Sequence, residues 1–354
     1  MPATEPACRL TASKVKAEAA AAGFDLCGIA SAAGYPELGF LRTWLDRGYA
    51  GEMSYLHRTA DRRADVRAVM PSAQSVISLG VVYNTPRPYS TEQPDPARAA
   101  LARYAWGDDY HLVIERRLQE LLERLRAGSS EPFEARPYVD TGPVQERIYA
   151  EQAGLGWIGK NTCLINPELG SWIFLAEIIC SLPLEPDLPG FDQCGSCTAC
   201  LDACPTGALV DARVLDSTRC LSYLTIELKG PIPSEQRASI GEHAYGCDIC
   251  QEVCPWNIGA AVAAPDREWL PRPGLDAPLL VDLWRRSDDE LRALLKGSAM
   301  KRAGVKRLRR NLAVAIGNSQ DPGAAASLVA QDEPTCTDPL VQEHVVWAVE
   351  KLGG

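Results

Sequence analysis

Eight of the chain's 13 cysteines fall between positions 194 and 254, at spacings that suit an iron-sulfur centre. The string CGSCTACLDACP sets Cys194, Cys197, Cys200 and Cys204 ahead of Pro205. This is the C-x2-C-x2-C-x3-C-P run of bacterial ferredoxins, where three close thiolates grip one [4Fe-4S] cube and the fourth reaches a second. A second run, CDICQEVCP, supplies Cys247, Cys250 and Cys254 ahead of Pro255. Its first cysteine is due at 244, where Ala244 stands, and Cys220, 27 residues upstream of Cys247, substitutes for it. The swap rule then gives one cluster Cys194, Cys197, Cys200 and Cys254, and the other Cys204, Cys220, Cys247 and Cys250. Zinc is the competing occupant, since C-x2-C pairs bind it too. The C-x3-C-P ending on both runs favours clusters. The remaining cysteines, Cys8, Cys27, Cys163, Cys180 and Cys336, lie in or beside apolar stretches and are expected to be buried and inert.

A paired cluster module moves single electrons at low potential. Alone it makes a carrier, yet about 185 residues precede it here, so a reaction centre is expected there. With 354 residues, 46% hydrophobic and 23% charged, the chain is an ordinary globular protein with room for about two or three domains. The expected division is an α/β domain over 1–185, a ferredoxin-type double-cluster domain over 186–262 and a helical domain over 270–354. Pro-rich stretches at 182–191 and 265–278 mark the boundaries. No export signal and no apolar run of about 18 residues is evident, so no membrane partner and a cytoplasmic location are expected. In that compartment clustered thiols serve as ligands rather than disulfides.

The first domain reads as alternating helices and strands. A helix is expected over 11–23, strands over 24–30 and 75–84, and a helix over 109–127 with Leu112, Leu118, Leu121, Leu122 and Leu125 on its apolar face. YVDTG (138–142) reads as a strand ending in a turn, followed by a helix from Pro143 to Gly154. Further strands are expected at 162–166 and 171–180. GLGWIGK (154–160) contains G-x-G-x-x-G but follows a helix, so dinucleotide binding is rejected. In the tail, NLAVAIGNS (311–319) aligns with HVVWAVEKL (344–352) at an offset of 33, which suggests stacked helix pairs.

RPYVDTGPVQERIYAEQAGLGWIGKNTCLI (136–165), the cysteine module, CLSYLTIELKGPIP (220–233) and YGCDICQEVCPWN (245–257) together resemble the epoxyqueuosine reductase family. The likeness is spread over most of residues 10–260. It implies a cobalamin held by the α/β domain beside one cluster, and HEAT-like repeats in the tail. It also implies reductive opening of an epoxide on the modified wobble base of a tRNA anticodon stem-loop, the last step of queuosine synthesis. The donor would be a low-potential carrier such as flavodoxin or ferredoxin, and a monomer suffices. Removing an epoxide oxygen as water takes two electrons and two protons; a cobalt corrin can collect two electrons that clusters deliver singly. A positioned acid adds about 10²–10⁴-fold.

Asp140 matches the family's acid. Two effects compete at it. The dipole of a helix beginning at Pro143 favours its carboxylate, whereas burial favours the acid, and the acid role requires burial to win. Arg63, Tyr110, Asp140, Lys160, Asn161, Ser222 and Thr225 sit in matching motifs as corrin contacts. No D-x-H-x-x-G string is present, so a cobalt without a protein axial ligand is expected, the four histidines being His57, His111, His243 and His344.

The net charge of −10 at first argues against a nucleic-acid binder. KRAGVKRLRR (301–310) concentrates six basic residues, leaving the rest of the chain at −16. Lys301, Arg302, Lys306, Arg307, Arg309 and Arg310 are therefore the candidate tRNA contacts. Tyr104, Trp106 and Tyr223 are candidates for stacking on splayed bases. Two competing functions are a small-molecule reductive dehalogenase-like enzyme and a plain two-cluster electron carrier. The basic stretch speaks against the first, and the long N-terminal region against the second.

Overall fold

The computed structural model describes residues 10–92, 95–258, 264, 266–330 and 332–353. Cys8 lies outside them. At the centre of the N-terminal region four strands form one sheet: β1 (Leu26–Ser31), β2 (Ser75–Val82), β3 (Ala135–Tyr138) and β4 (Ile173–Cys180), in the order β1-β2-β4-β3. All three pairings are antiparallel, β2 and β4 running in register from Ser75 opposite Cys180 to Val82 opposite Ile173. The α/β reading is thus corrected in one respect: helices and strands do alternate, but the sheet is not built of parallel units. The reason is burial. Helices cover both faces, so both central strands are buried and mostly apolar on both sides and read like strands of a parallel sheet.

One face packs under α1 (Ala12–Ala21), and α2 (Ser54–Ala64) lies further along the chain. With α1, the helix α3 (Tyr110–Gly128) covers Ile29, Ile77, Leu79 and Ile178. On the opposite face α4 (Glu146–Gln152) packs Ile148 and Tyr149 against Ala30, Val76 and Ile179. The apolar face of α3 is turned slightly from the expected one. Val113 and Ile114 are buried with Leu118, Leu121, Leu122 and Leu125, while Leu112 is 62% exposed. Residues 139–145 form a loop rather than the end of a strand and the start of a helix, because β3 stops at Tyr138 and α4 starts at Glu146.

The two cysteine runs repeat in structure. The short helices Ala199–Asp202 and Ile249–Glu252 each start two residues after one cysteine and end two before another. The repeat is broken at 244 because Ala244 is fully buried in the strand His243–Tyr245, which pairs with Ala100–Leu101. The tail holds α5 (Leu280–Arg285), α6 (Asp288–Leu295), α7 (Gly304–Asn318), α8 (Pro322–Val329) and α9 (Pro339–Gly353). The two similar strings fall on α7 and α9, which pack together. Gly317 permits that approach: a Cβ there would lie 2.8 Å from the Cβ of Ala348. The tail shares its apolar core with Leu101, Ala244 and Tyr245, so it is docked on the rest of the molecule.

Candidate active site at the edge of the sheet

Where β3 ends, a cavity of about 790 Å³ opens between α3 and the segment after Cys220. Its wall includes Tyr110, His111, Asp140, Cys220, Ser222 and Arg302. A second space of about 450 Å³ shares Met53, Tyr55 and Asp140 with it and is lined by Arg63. Asp140 therefore stands on the ridge between two cavities, with its side chain 52% exposed.

Its backbone is unusual. Asp140 has φ +54°, a left-handed conformation that aspartate tolerates better than most residues. The Asp140 amide donates to Glu146 Oε1 at 2.6 Å. The carboxylate Oδ2 lies 3.2 Å from His111 Nε2, and His111 Nδ1 lies 2.7 Å from Asp109 Oδ1. Asp109 also caps α3 by accepting the His111 amide at 3.2 Å. One aspartate thus starts the helix and orients the imidazole on it. Tyr110 stacks on His111 with ring centroids 4.0 Å apart, and on Phe174 of β4 at 4.4 Å and 6°.

Burial alone would raise the Asp140 carboxyl, but hydrogen bonds from His111 and Tyr110 hold it below its ordinary value. Burial alone would depress His111, but Asp140 and Asp109 raise it above 6.5. The competition at Asp140 is therefore decided by His111 rather than by a helix dipole, since α4 begins six residues further on. The two shifts run in opposite senses, Asp140 toward its carboxylate and His111 toward its imidazolium.

Beneath the loop lies a second carboxyl pair. Glu177, at the middle of β4, is fully buried and faces Glu146. Burial, then the neighbouring carboxylates, push both glutamates above the usual range. The sequence signal for His111 was slight: a lone histidine behind an Asp-Tyr pair reads as a helix start. Glu177 was visible only as the one charge in an apolar strand.

Cys194, Cys197, Cys200 and Cys254 line a single cavity of about 270 Å³, a set drawn from both runs. Cys204, Cys220, Cys247 and Cys250 lie close enough for their thiolates to interact. The Ala208 amide points at Cys204 Sγ from 3.2 Å. Both sets have the chemistry of a cluster, and the first also lines a single space. Cys220 also lines the 790 Å³ cavity, whereas Cys197 is exposed. Cys27, Cys180 and Cys336 have thiols that burial pushes up to about 12, 11 and 11. Cys163 departs from the inert reading, because its thiol lies against that of Cys250.

Of the corrin candidates, Tyr110, Asp140 and Ser222 line the large cavity and Arg63 the smaller. Lys160 is a correction. Its ammonium donates to the carbonyls of Gly195 at 2.7 Å and Cys197 at 2.9 Å, bracing the first cysteine loop. Asn161 likewise donates to Cys250 O at 3.2 Å. Thr225 is fully buried, its hydroxyl donating to Leu221 O and accepting the Gly246 amide, and it lines neither cavity.

The basic stretch is corrected too. Arg309 and Arg310 are fully buried. Residues Tyr223–Glu227 form a π-helical turn whose carbonyls need donors. Arg310 donates to Leu224 O, Leu228 O and Gly230 O, and Arg307 to Ile226 O. Arg309 donates to the carbonyls of Trp284 and Arg286. Arg307 and Arg310 hold the turn that follows Ser222, whereas Arg309 braces the end of α5. Lys301 and Arg302 line the cavity, and Lys306 is half exposed beside Asp338 at 3.3 Å. Tyr104 and Tyr223 line the cavity as well, whereas Trp106 lies against Arg103 beside a separate space.

A curated epoxyqueuosine reductase from Xanthomonas campestris is 41% identical over 347 residues, 97% of this chain and 96% of that protein. The chain belongs to the epoxyqueuosine reductase family. The Escherichia coli epoxyqueuosine reductase is 38% identical over 339 residues, 96% of this chain and 88% of its own. Residues 63–141, from Arg63 to just past Asp140, match the family described as "Epoxyqueuosine reductase QueG, DUF1730". Residues 193–257 match the "4Fe-4S double cluster binding domain". A crystal structure of epoxyqueuosine reductase with an epoxyqueuosine-modified tRNA-Tyr stem loop aligns at TM-score 0.86 and 32% identity, covering 97% of this chain and 90% of that one. An epoxyqueuosine reductase from Bacillus subtilis, described with its catalytic aspartate loop swung out of the active site, aligns at TM-score 0.85 and 32% identity, with 97% and 90% covered.

Proposed function

We propose that this chain reduces the epoxide of epoxyqueuosine in tRNA to queuosine, with electrons passing through two [4Fe-4S] clusters to a cobalamin in the large cavity. The observation that carries this reading is that Asp140 and the cluster cysteine Cys220 line the same cavity. An acid and an electron exit thus meet in one space beside a family match that spans both.

The two cavities suit a flat, amphipathic cofactor: aromatic rings from Tyr55, Tyr104, Tyr110 and Tyr245 alternate with polar groups. Tyr110, Ser222 and Arg63 would hold it. Bound there, cobalamin would supply a cobalt that stores two electrons and attacks as a nucleophile. The cluster of Cys204, Cys220, Cys247 and Cys250 would be the inner one. The cluster of Cys194, Cys197, Cys200 and Cys254 would be the outer one, where exposed Cys197 faces a low-potential donor such as flavodoxin or ferredoxin.

Asp140 and His111 share the acid role. A ligand that fills the cavity strips water from Asp140 and favours its protonated form, and the imidazolium of His111 can restore the proton after it is spent. Lys301 and Arg302 line the cavity and Lys306 stands half exposed near the start of α7; the three would meet phosphates of the anticodon stem-loop. Tyr104 and Tyr223 are placed to stack on a base in the cavity. The tail, read as HEAT-like helix pairs, carries the RNA-facing lysines. A cytoplasmic monomer fits this role.

An absorption titration with cobalamin, followed by turnover of an epoxyqueuosine-bearing stem-loop with a low-potential reductant, tests the reading. Saturable corrin binding and formation of queuosine are expected. Absence of bound corrin would reject the cofactor, and corrin-loaded protein with both clusters but no turnover would reject the substrate.

A further inference from the structure

The glycine-rich string GLGWIGK (154–160) opens a hairpin. Its strands are Trp157–Ile158 and Leu164–Ile165, paired antiparallel with Trp157 opposite Ile165. Gly156 lets the chain pass close to the returning strand, since a Cβ there would lie 2.1 Å from Ile165 O. The tip is closed by the Gly159 amide, which donates to Cys163 O at 2.8 Å, and the Thr162 amide, which donates to Gly159 O at 2.9 Å. Lys160 and Asn161 therefore stand on a tight turn rather than a loose loop. Lys160 Nζ donates to Gly195 O at 2.7 Å and Cys197 O at 2.9 Å, both in the first cysteine run. Asn161 Nδ2 donates to Cys250 O of the second run at 3.2 Å. Consecutive residues thus touch both runs, one with a charge and one without.

No carboxylate neutralises that charge. Among the described residues no Asp or Glu lies within ion-pair distance of Lys160, whereas Arg213, whose amide donates to Lys160 O at 3.0 Å, is paired with Asp192 at 2.6 Å. Lys160 also lines the cavity that Cys194, Cys197, Cys200 and Cys254 share. A [4Fe-4S] cube held by four thiolates is an anion and gains a further negative charge on taking an electron. A fixed cation beside it stabilises the reduced form more than the oxidised one. We propose that Lys160 raises the reduction potential of the cluster bound by Cys194, Cys197 and Cys200, making it the place where an electron from the external donor is first held. The step moves one electron: the reduced low-potential donor is oxidised, the cube is reduced, and no bond forms or breaks. Asn161, uncharged, gives the cluster that uses Cys250 no such stabilisation. The tuning rests on the double-cluster reading and on neither cobalamin nor tRNA. It holds under either wiring of the runs, because Cys194, Cys197 and Cys200 share a cluster in both.

Redox titration of the full chain loaded with both clusters, followed by electron paramagnetic resonance, tests this. Lys160→Gln removes the charge and keeps an amide that can donate to a carbonyl. It should disfavour reduction of one cluster about tenfold, a fall of about 59 mV in one midpoint, and leave the other midpoint in place. Lys160→Met should do the same. Lys160→Arg keeps both charge and donors, and its reduction equilibrium should stay within about twofold of the wild type. Added salt should narrow the gap between the wild type and Lys160→Gln, since a half-exposed charge is screened. The tuning is overturned if Lys160→Gln holds its full iron and shows both wild-type midpoints. It is overturned as well if Lys160→Met shows the fall and Lys160→Gln does not, because the brace rather than the charge would then set the potential. Loss of one cluster's iron from both variants would make Lys160 a residue of assembly and also overturn it. A wild type that binds no iron would instead reject the double-cluster reading. Midpoints as expected without turnover of the stem-loop would count against the proposed substrate and leave the tuning standing.

Discussion

The imidazole of His111 and the carboxylate of Asp140 face each other at 3.2 Å, and they arrive from opposite directions in the chain. His111 comes from the first turn of α3, Asp140 from the loop after β3. The pair shifts the proton: His111 is raised above 6.5 and Asp140 is held below 3.8. The proposed acid is therefore a property of two residues, and each can be tested by removing it.

Asp140→Asn should lower the single-turnover rate by about 10²–10⁴-fold, because the amide cannot donate the proton that the epoxide oxygen needs. Asparagine accepts a positive φ almost as readily as aspartate, so the loop and the thermal midpoint should be little changed. A variant that keeps full rate on the stem-loop would remove Asp140 from the mechanism.

His111→Gln tests where the proton is stored. The His111 pKa is raised in the folded state, so its contribution to stability is fully present below pH 6.5 and is lost as pH rises through the folded value. Activity should follow the same sign. The wild-type rate should fall along an alkaline limb above pH 6.5, and His111→Gln should abolish that limb while lowering the plateau. An unchanged limb would assign it to another group.

The basic stretch divides into two kinds of residue with opposite expected phenotypes. Arg310→Leu removes the donor to the carbonyls of Leu224, Leu228 and Gly230 and should cost about 3 kcal/mol of stability, read as a lower denaturation midpoint. Lys306→Ala should leave stability within about 0.5 kcal/mol. It should weaken stem-loop binding and reduce the salt slope of log Kd by about 0.7–0.9. Equal effects from both would erase the distinction.

What the sequence revealed and what it hid follow from the range of the interactions. The cysteine runs are local spacings tied to a cube of fixed size, so a double-cluster domain was legible there, and the family match over 193–257 bears it out. Asp140 was legible by family likeness. The antiparallel sheet was not, because β2 and β4 are apolar on both faces and alternation, the usual sign, is absent. The fate of Arg309 was partly visible: it lies four residues after Val305 and three before Leu312, on the buried arc of α7. Counting charge rather than position hid it. Asp109 looked like a helix cap, which it is, and that role concealed its second one as the partner of His111.

The last prediction concerns the crossing of ligands between runs. Cys254 ends the second run but shares a 270 Å³ cavity with Cys194, Cys197 and Cys200 of the first. If those four hold one cluster, Cys194→Ala combined with Cys254→Ala damages a single site. Iron should then fall from about eight per chain to about four. Cys194→Ala combined with Cys204→Ala strikes both sites and should leave much less than four. Uncrossed wiring, with Cys204 completing the first run's cluster, demands the reverse order. Iron and sulfide analysis of the two double variants, with the electron paramagnetic resonance of the reduced proteins, distinguishes them.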